Sequence, residues 1–201
     1  MRKNLILTTA LLTLVTAIPN YSYAEDFEEV WEYLNDPETA VLTQLVKNTN
    51  KAQRFQQLGE IPEIEQNFIN LLVKYQNEVS SSNVKNDIQK RMLLKKRTKE
   101  LTEADFNGIA KDWVGFVSNI ETLGDNIQID IEISPNITLR YTSNMNDPLI
   151  DTIAELQVND RVTFSGKLKP SDSLGFQEYS LTTVGSLKSP DFEFNVTEIA
   201  K

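Results

Sequence analysis

The sequence predicts an α+β protein in which an N-terminal helical region of three to four helices precedes a small β-barrel. Apolar residues recur every three to four positions before about residue 105 and every second position after it. The 201 residues include no Cys, so the fold depends on an apolar core without disulfides. We expect a signal peptide at residues 1–24, a helical region at 25–104 and a barrel domain at 105–201.

The first 24 residues have the layout of a secretory signal peptide. Arg2 and Lys3 precede an apolar stretch at positions 5–17, and Ser22-Tyr23-Ala24 places small residues at −3 and −1 of a cleavage site. A transmembrane anchor is the alternative, but this stretch is shorter than the ~20 residues that span a bilayer. We expect an exported protein, periplasmic or secreted, with no transmembrane segment after cleavage. Removal of two basic residues changes its formal net charge from −9 to −11.

Helical periodicity continues to about residue 101. A first helix is expected from Asp36-Pro37-Glu38 to Gly59, where an N-cap, a first-turn Pro and a C-terminal Gly mark its ends. A second begins at Pro62, and a third runs from Val84 to about Leu101, while residues 25–34 are a candidate for a further short helix. The apolar residues expected to face inward are Ile64, Phe68, Leu71, Leu72, Tyr75 and Val79 in the second helix and Val84, Ile88 and Met92 in the third.

A basic run occupies the third predicted helix. At 100° per residue its charges are expected to scatter around the helix, which favours a solvated helix over a patch for nucleic acid, anionic lipid or an acidic partner. Pairing with the acidic segment 25–38 is a further reading. The run consists of Lys90, Arg91, Lys95, Lys96, Arg97 and Lys99.

The second half of the chain alternates as strands do. Between Ile127 and Ile133 every second residue is Ile, which predicts a strand whose other face, with Asp130 and Glu132, is solvated. A short helix is expected after Asp147-Pro148. The remaining strands are expected at 113–117, 137–141, 162–166, 176–182 and 192–196.

Three strands, a helix and then further strands is the order of an OB-fold, a small Greek-key barrel. Gly115 and Gly166 inside strands suit the sharp bends of such a barrel. The fold class expected is therefore α+β, with a helical region followed by a small OB-like β-barrel. An unrelated α+β sandwich is the alternative.

The second half also resembles a known family over about residues 85–199. The sequence is similar to a family of uncharacterised bacterial OB-fold domains of the tRNA-anticodon-like type, found in exported or membrane-attached proteins. The resemblance implies an OB-like barrel and little about activity, because the family offers no catalytic residues to carry over. The matching segments are Trp113-Val114-Gly115-Phe116-Val117, Asp160-Arg161-Val162-Thr163-Phe164-Ser165-Gly166, Glu178-Tyr179-Ser180-Leu181-Thr182, Gly185-Ser186-Leu187 and Pro190-Asp191-Phe192-Glu193-Phe194.

The residue types exclude several kinds of catalytic site. Without His and Cys there is no Ser-His-Asp triad, thiol nucleophile, or imidazole or thiolate metal site. The sequence contains no G-x-S-x-G motif and no phosphate-binding glycine loop. We therefore expect no enzymatic activity, no catalytic residues, no cofactor and no metal site.

The expected function is that of an exported, non-catalytic binding module of the bacterial cell envelope, which recognises a protein, peptide or glycan. Its expected binding face on the barrel is Trp113, Tyr141, Arg161 and Tyr179, although strand aromatics are often core residues instead. The acidic net charge disfavours nucleic-acid binding. The alternatives are an inhibitor or protective protein that occludes an exported enzyme, or a carboxylate-dependent enzyme using paired acids such as Asp130 and Glu132.

Overall fold

A computed structural model describes residues 51–81, 84–104 and 107–201, and residues 49–201 cluster as one compact unit. The expected signal peptide, the candidate helix at 25–34 and most of the helix that begins at Asp36 lie outside the described residues. The end of that helix is described: residues 51–55 are helical, and Gly59 follows with a φ of +82°. This left-handed conformation suits Gly, which has no Cβ to oppose it.

Two long helices precede the barrel: α1 (Glu63–Ser80) and α2 (Asp87–Glu103). Pro62 occupies the N-cap position of α1, as the sequence predicts. Asn86 caps α2 reciprocally with Gln89, since the Gln89 N–H donates to the Asn86 side chain at 3.0 Å and the Asn86 N–H donates to Gln89 Oε1 at 3.3 Å. None of the described helices is both long and apolar enough to cross a bilayer.

The inward faces of both helices differ from the sequence prediction. Ile64 is 53 % exposed and the neighbouring Glu65 takes the buried position. On α2, Ile88 and Met92 are exposed because the helix packs through its Leu93, Arg97 and Leu101 face. Leu93, Arg97 and Leu101 are four residues apart and share one face of the helix, so when this face packs inward, Ile88 and Met92 point outward.

The barrel is closed and has five strands, which confirms the α+β class and the barrel in the second half of the chain. The elements of this half are β1 (Ile109–Leu123), β2 (Asn126–Ser134), β3 (Ile137–Asn144), α3 (Ile150–Ala154), β4 (Arg161–Leu168), β5 (Pro170–Ser171), β6 (Gly175–Phe176), α4 (Thr183–Lys188) and β7 (Asp191–Ala200). The order of the barrel strands is β1-β2-β3-β7-β4, and every pairing is antiparallel except β3 with β7. The short helix α3 lies between β3 and β4, and a two-stranded ribbon (β5 and β6) and the helix α4 separate β4 from β7.

The main core joins the barrel interior to α1. Phe68 of α1 lies 5.2 Å from the Trp113 ring and 5.6 Å from the Phe192 ring, measured between ring centroids. Gly166 allows β4 and β7 to approach closely, because a Cβ there would overlap the Asn195 carbonyl oxygen and the Phe194 ring.

The strand expected at 176–182 is wrong except at its first residue. Only Gly175 and Phe176 form a strand, and α4 begins at Thr183. The Thr182 side chain accepts a hydrogen bond from the Gly185 N–H at 2.9 Å, and this cap starts the helix. Residues 177–181 therefore form an extended connection between β6 and α4, with a single β-bridge from Glu178 to Phe192.

Candidate functional site

The outward side of β2 forms the β2 polar face, which consists of Gln128, Asp130 and Glu132. The alternation with Ile129, Ile131 and Ile133 is present, and the three Ile side chains lie in the core. The expected solvation of the polar side is wrong, since Asp130 is 7 % exposed and Glu132 8 %. Both carboxylates are buried because cationic side chains from other elements cover them.

Glu132 is covered from the helical region. Its Oε1 accepts from Lys51 Nζ at 2.5 Å and its Oε2 from Arg54 Nη2 at 3.1 Å. The Arg54 guanidinium also lies 4.7 Å from the centroid of the Phe116 ring. These contacts attach the end of the first helix to the barrel surface.

Asp130 is covered by a residue of the adjacent strand. The register of β2 and β3 places Arg140 opposite Asp130, and Arg140 Nε lies 3.1 Å from Asp130 Oδ1. Burial raises the pKa of Asp130, and the positive charge of Arg140 partly opposes that shift. Gln128 Nε2 also donates to Asp130 Oδ1, at 3.2 Å.

Closure of the barrel brings a second carboxylate to Arg140. The parallel register of β3 and β7 pairs Asp191 with Thr138, two residues before Arg140, and across this diagonal Arg140 Nη2 lies 2.7 Å from Asp191 Oδ2. The Tyr179 ring lies against the same guanidinium, 4.8 Å from its centroid to Arg140 Cζ. Arg140 thus lies between two acids and under an aromatic ring.

Tyr179 is exposed even though its backbone is held in place. The Tyr179 N–H donates to the Asp191 carbonyl at 2.8 Å, and the residue is 39 % exposed. Leu181, two positions further on, is 88 % exposed. We call these two exposed side chains the Tyr179 surface; of the two, the Tyr179 ring lies against Arg140.

The side chain of Glu178 is directed to the interior and anchors this segment. It forms an ion pair with Arg97 of α2, and both side chains are fully buried. Arg97 also donates to the carbonyl of Ser186 in α4. The guanidinium lies 5.9 Å from the centroid of the Phe192 ring. One buried cation therefore joins α2, the extended segment, α4 and β7.

The four residues expected to form a binding face occupy different environments, all within the described part of the chain. Trp113 is 1 % exposed and lies in the core. Tyr141 is buried, and its hydroxyl donates to Asp147 Oδ2 at 2.7 Å. Arg161 is exposed and its Nε donates to the Leu58 carbonyl at 2.9 Å, while Tyr179 lies on Arg140. Of these four, Tyr179 is the aromatic residue that reaches the surface.

Sequence reasoning did not identify Glu65 as a buried acid. It is fully buried, and its Oε2 accepts from the Val114 N–H at 2.9 Å. Burial raises its pKa to about 8, against the opposing effects of this hydrogen bond and of the Arg161 charge. Its position in the sequence indicates this burial, because Glu65 precedes Phe68 by three residues and Ile69 by four and therefore shares their helix face.

Two further findings bear on the chemistry of the site. Within residues 51–81, 84–104 and 107–201, no group of three or more acidic side chains could hold a metal ion. No protein-family model, curated protein or solved structure matches the chain.

Proposed function

We propose that this protein is an exported, non-catalytic binding module whose barrel is an OB-like barrel and whose Tyr179 surface contacts a protein or peptide. The strand order β1-β2-β3-β7-β4, with α3 between the third and fourth barrel strands, supports the OB-like assignment. The layout of residues 1–24 as a signal peptide supports export.

The observation that carries the proposal is the exposed Tyr179 on an Arg140 that is ion-paired with two acids. Tyr and Arg are enriched among residues that contribute most to protein interfaces. Because Asp130 and Asp191 already hold Arg140, and Arg140 supports the ring, little side-chain freedom remains to be lost on binding. The exposed Leu181, two residues further along the chain, adds a second apolar side chain, which favours a protein or peptide over a glycan.

The roles of the neighbouring acids support binding over catalysis. Glu132 is occupied by Lys51 and Arg54, and Asp130 by Arg140. Each carboxylate thus neutralises a cation that fastens one element to another. A hydrolytic pair needs one acid and one base facing the substrate.

The test is site-specific photo-crosslinking in the producing cells. A photoreactive residue at position 181 should give one discrete crosslinked product, and Tyr179→Ala should weaken that product at least tenfold. The matched control position is Val158, which is 51 % exposed in the turn before β4 and should give no discrete product. The mass of the recovered protein reports export, with Glu25 as the expected first residue. Equal crosslinking from positions 181 and 158, or none from 181, would contradict the proposal.

A further inference from the structure

A second surface, on α2, combines exposed positive charges with exposed apolar side chains. Two residues of the basic run do not contribute to this surface: Arg97 is buried, and Lys90 forms an ion pair with Asp87 at 3.2 Å. The remaining four basic residues are all exposed or nearly so, and Ile88 and Met92 are 72 % and 67 % exposed. We call this set the basic face of α2. Its members are Ile88, Arg91, Met92, Lys95, Lys96 and Lys99.

The expectation that the charges scatter around the helix is wrong for these four. At 100° per residue, the basic face occupies roughly 140° of the helix circumference, from Arg91 to Lys96. Ile88 and Met92 lie within that arc, four residues apart. The structure makes this stripe because Leu93, Arg97 and Leu101 occupy the opposite side, against α1, α4 and the extended segment.

The charges of this face are available to a ligand. Residues 88–99 contain no acidic residue, and four of their six basic residues belong to this face. Arg91 and Lys95 form no ion pair within the described part of the chain. Lys99 approaches Glu103 at 3.7 Å, but both side chains are more than 60 % exposed, so the pair contributes little.

The barrel half of the chain has the opposite charge. Residues 107–201 carry 7 basic and 14 acidic residues, a net charge of −7. An anionic surface therefore attracts α2 and repels the barrel, which orients the molecule with α2 toward that surface.

We propose that the basic face of α2 docks the protein on an anionic lipid bilayer. Lys and Arg near such a bilayer each contribute to binding through the headgroup charges, and apolar side chains between them enter the boundary between headgroups and acyl chains. Ile88 and Met92 decide between a bilayer and a nucleic acid, because phosphate contacts give no reason for two large apolar side chains to be exposed among the cations. The docking uses a surface separate from Tyr179.

The first experiment measures binding to vesicles by flotation, using the processed protein recovered from the producing cells. Vesicles of phosphatidylcholine with one third phosphatidylglycerol should bind the protein, and pure phosphatidylcholine should not. Lys95→Gln with Lys96→Gln should lower the partition coefficient at least tenfold, and so should Ile88→Gln with Met92→Gln. Added salt should weaken binding of the wild type.

Matched controls use exposed residues of the same types elsewhere. Lys167→Gln, and Met145→Gln at a residue 52 % exposed, should bind vesicles as the wild type does. Tyr179→Ala should also bind normally, so that failure of this proposal and failure of the proposed function are distinguishable. Equal binding to both kinds of vesicle, unchanged binding of the α2 variants, or tighter binding to duplex DNA than to the anionic vesicles would overturn the docking.

A second readout reports contact with the bilayer directly. The sequence has no Cys, so Met92→Cys can be labelled at a single site with an environment-sensitive dye. Its emission should shift to the blue on anionic vesicles, whereas the same dye on Met145→Cys should not shift. A shift at position 145 alone, or at neither position, would contradict an insertion of this face.

Discussion

Glu65 should make the stability of this fold depend on pH. The carboxyl group is fully buried, Oε2 accepts one N–H from Val114, and Oε1 has no hydrogen-bond partner within the described structure. Removal from water raises its pKa from an ordinary 4.5 to about 8. The folded protein therefore keeps a proton on Glu65 at neutral pH, where an unfolded chain would have released it.

The sign and the size follow from proton linkage. Between the ordinary pKa of 4.5 and the folded pKa of about 8, the native state binds more protons than the unfolded state, so stability falls as pH rises. The slope is about 1.4 kcal/mol per pH unit, and the total is up to about 5 kcal/mol. Above the folded pKa this contribution stops changing, because Glu65 is then ionised in both states.

The variant Glu65→Gln should remove this dependence. Its amide oxygen can accept from the Val114 N–H as the acid does, but the group cannot ionise. We expect the variant to match the wild type at about pH 4, below the ordinary pKa of the acid, and to exceed it by about 3–5 kcal/mol at about pH 9. Urea unfolding followed by far-UV circular dichroism at a series of pH values measures the difference.

The comparison has a built-in correction and a matched control. Other groups whose pKa is raised, such as Asp130 and Glu178, contribute equally to both proteins and cancel. Glu63→Gln changes an exposed acid two residues away and should follow the wild-type curve. A difference between Glu65→Gln and the wild type that stays constant from acid to alkaline pH would refute the reasoning.

Two further predictions concern the interior. Arg97→Met leaves the fully buried Glu178 side chain without its cation and should lower the unfolding free energy by about 3–5 kcal/mol. The double variant Arg97→Met with Glu178→Gln should recover much of that loss in a double-mutant cycle of urea unfolding. A double variant no more stable than Arg97→Met would contradict the role of the two residues as counter-ions. Gly166→Ala should lower the unfolding free energy by at least about 2 kcal/mol, because its Cβ would overlap the Asn195 carbonyl oxygen. Thermal melts of Gly166→Ala and Ser165→Ala measure the difference. Equal melting temperatures for the two variants would refute this prediction.

Local signals were sufficient for most elements of the fold. The Ile alternation at 127–133 predicts a strand, and β2 runs from Asn126 to Ser134. The Pro62 signal predicts a helix that begins at Pro62, and α1 begins one residue later, at Glu63. Such signals depend only on neighbours within a few positions of the chain, so they can be recognised without knowing the tertiary structure.

Burial of charge was not predictable in the same way. Asp130 and Glu132 look solvated because their strand alternates, and they become buried only when Arg140, Lys51 and Arg54 cover them. Lys51 and Arg54 come from a helix far away in the chain, so nothing near β2 reveals them. The same holds for Arg97, whose counter-ion Glu178 lies beyond four barrel strands.

The candidate site was predictable in part for the same reason. The residue type of Tyr179 is enough to predict it as a binding residue, but the support of its ring depends on Arg140, which Asp130 and Asp191 hold beneath it. That group forms only when β7 pairs with β3, a relation set by closure of the barrel. Trp113 and Tyr141 have the same chemistry as Tyr179 and are buried, because their strand positions face the core.

The position of β7 in the barrel has a consequence for how the chain acquires its fold. β1, β2 and β3 can pair in succession through short turns. β7 lies at the end of this series, and it joins β3 to β4 only after α3, β4, the β5–β6 ribbon and α4 have preceded it in the chain. Until then β3 and β4 each present a row of unpaired backbone N–H and C=O groups to other chains. Closure is a non-local and therefore slow step. The species most exposed to aggregation during folding is thus the barrel that lacks only β7, and the rate at which β7 docks sets how long that species persists.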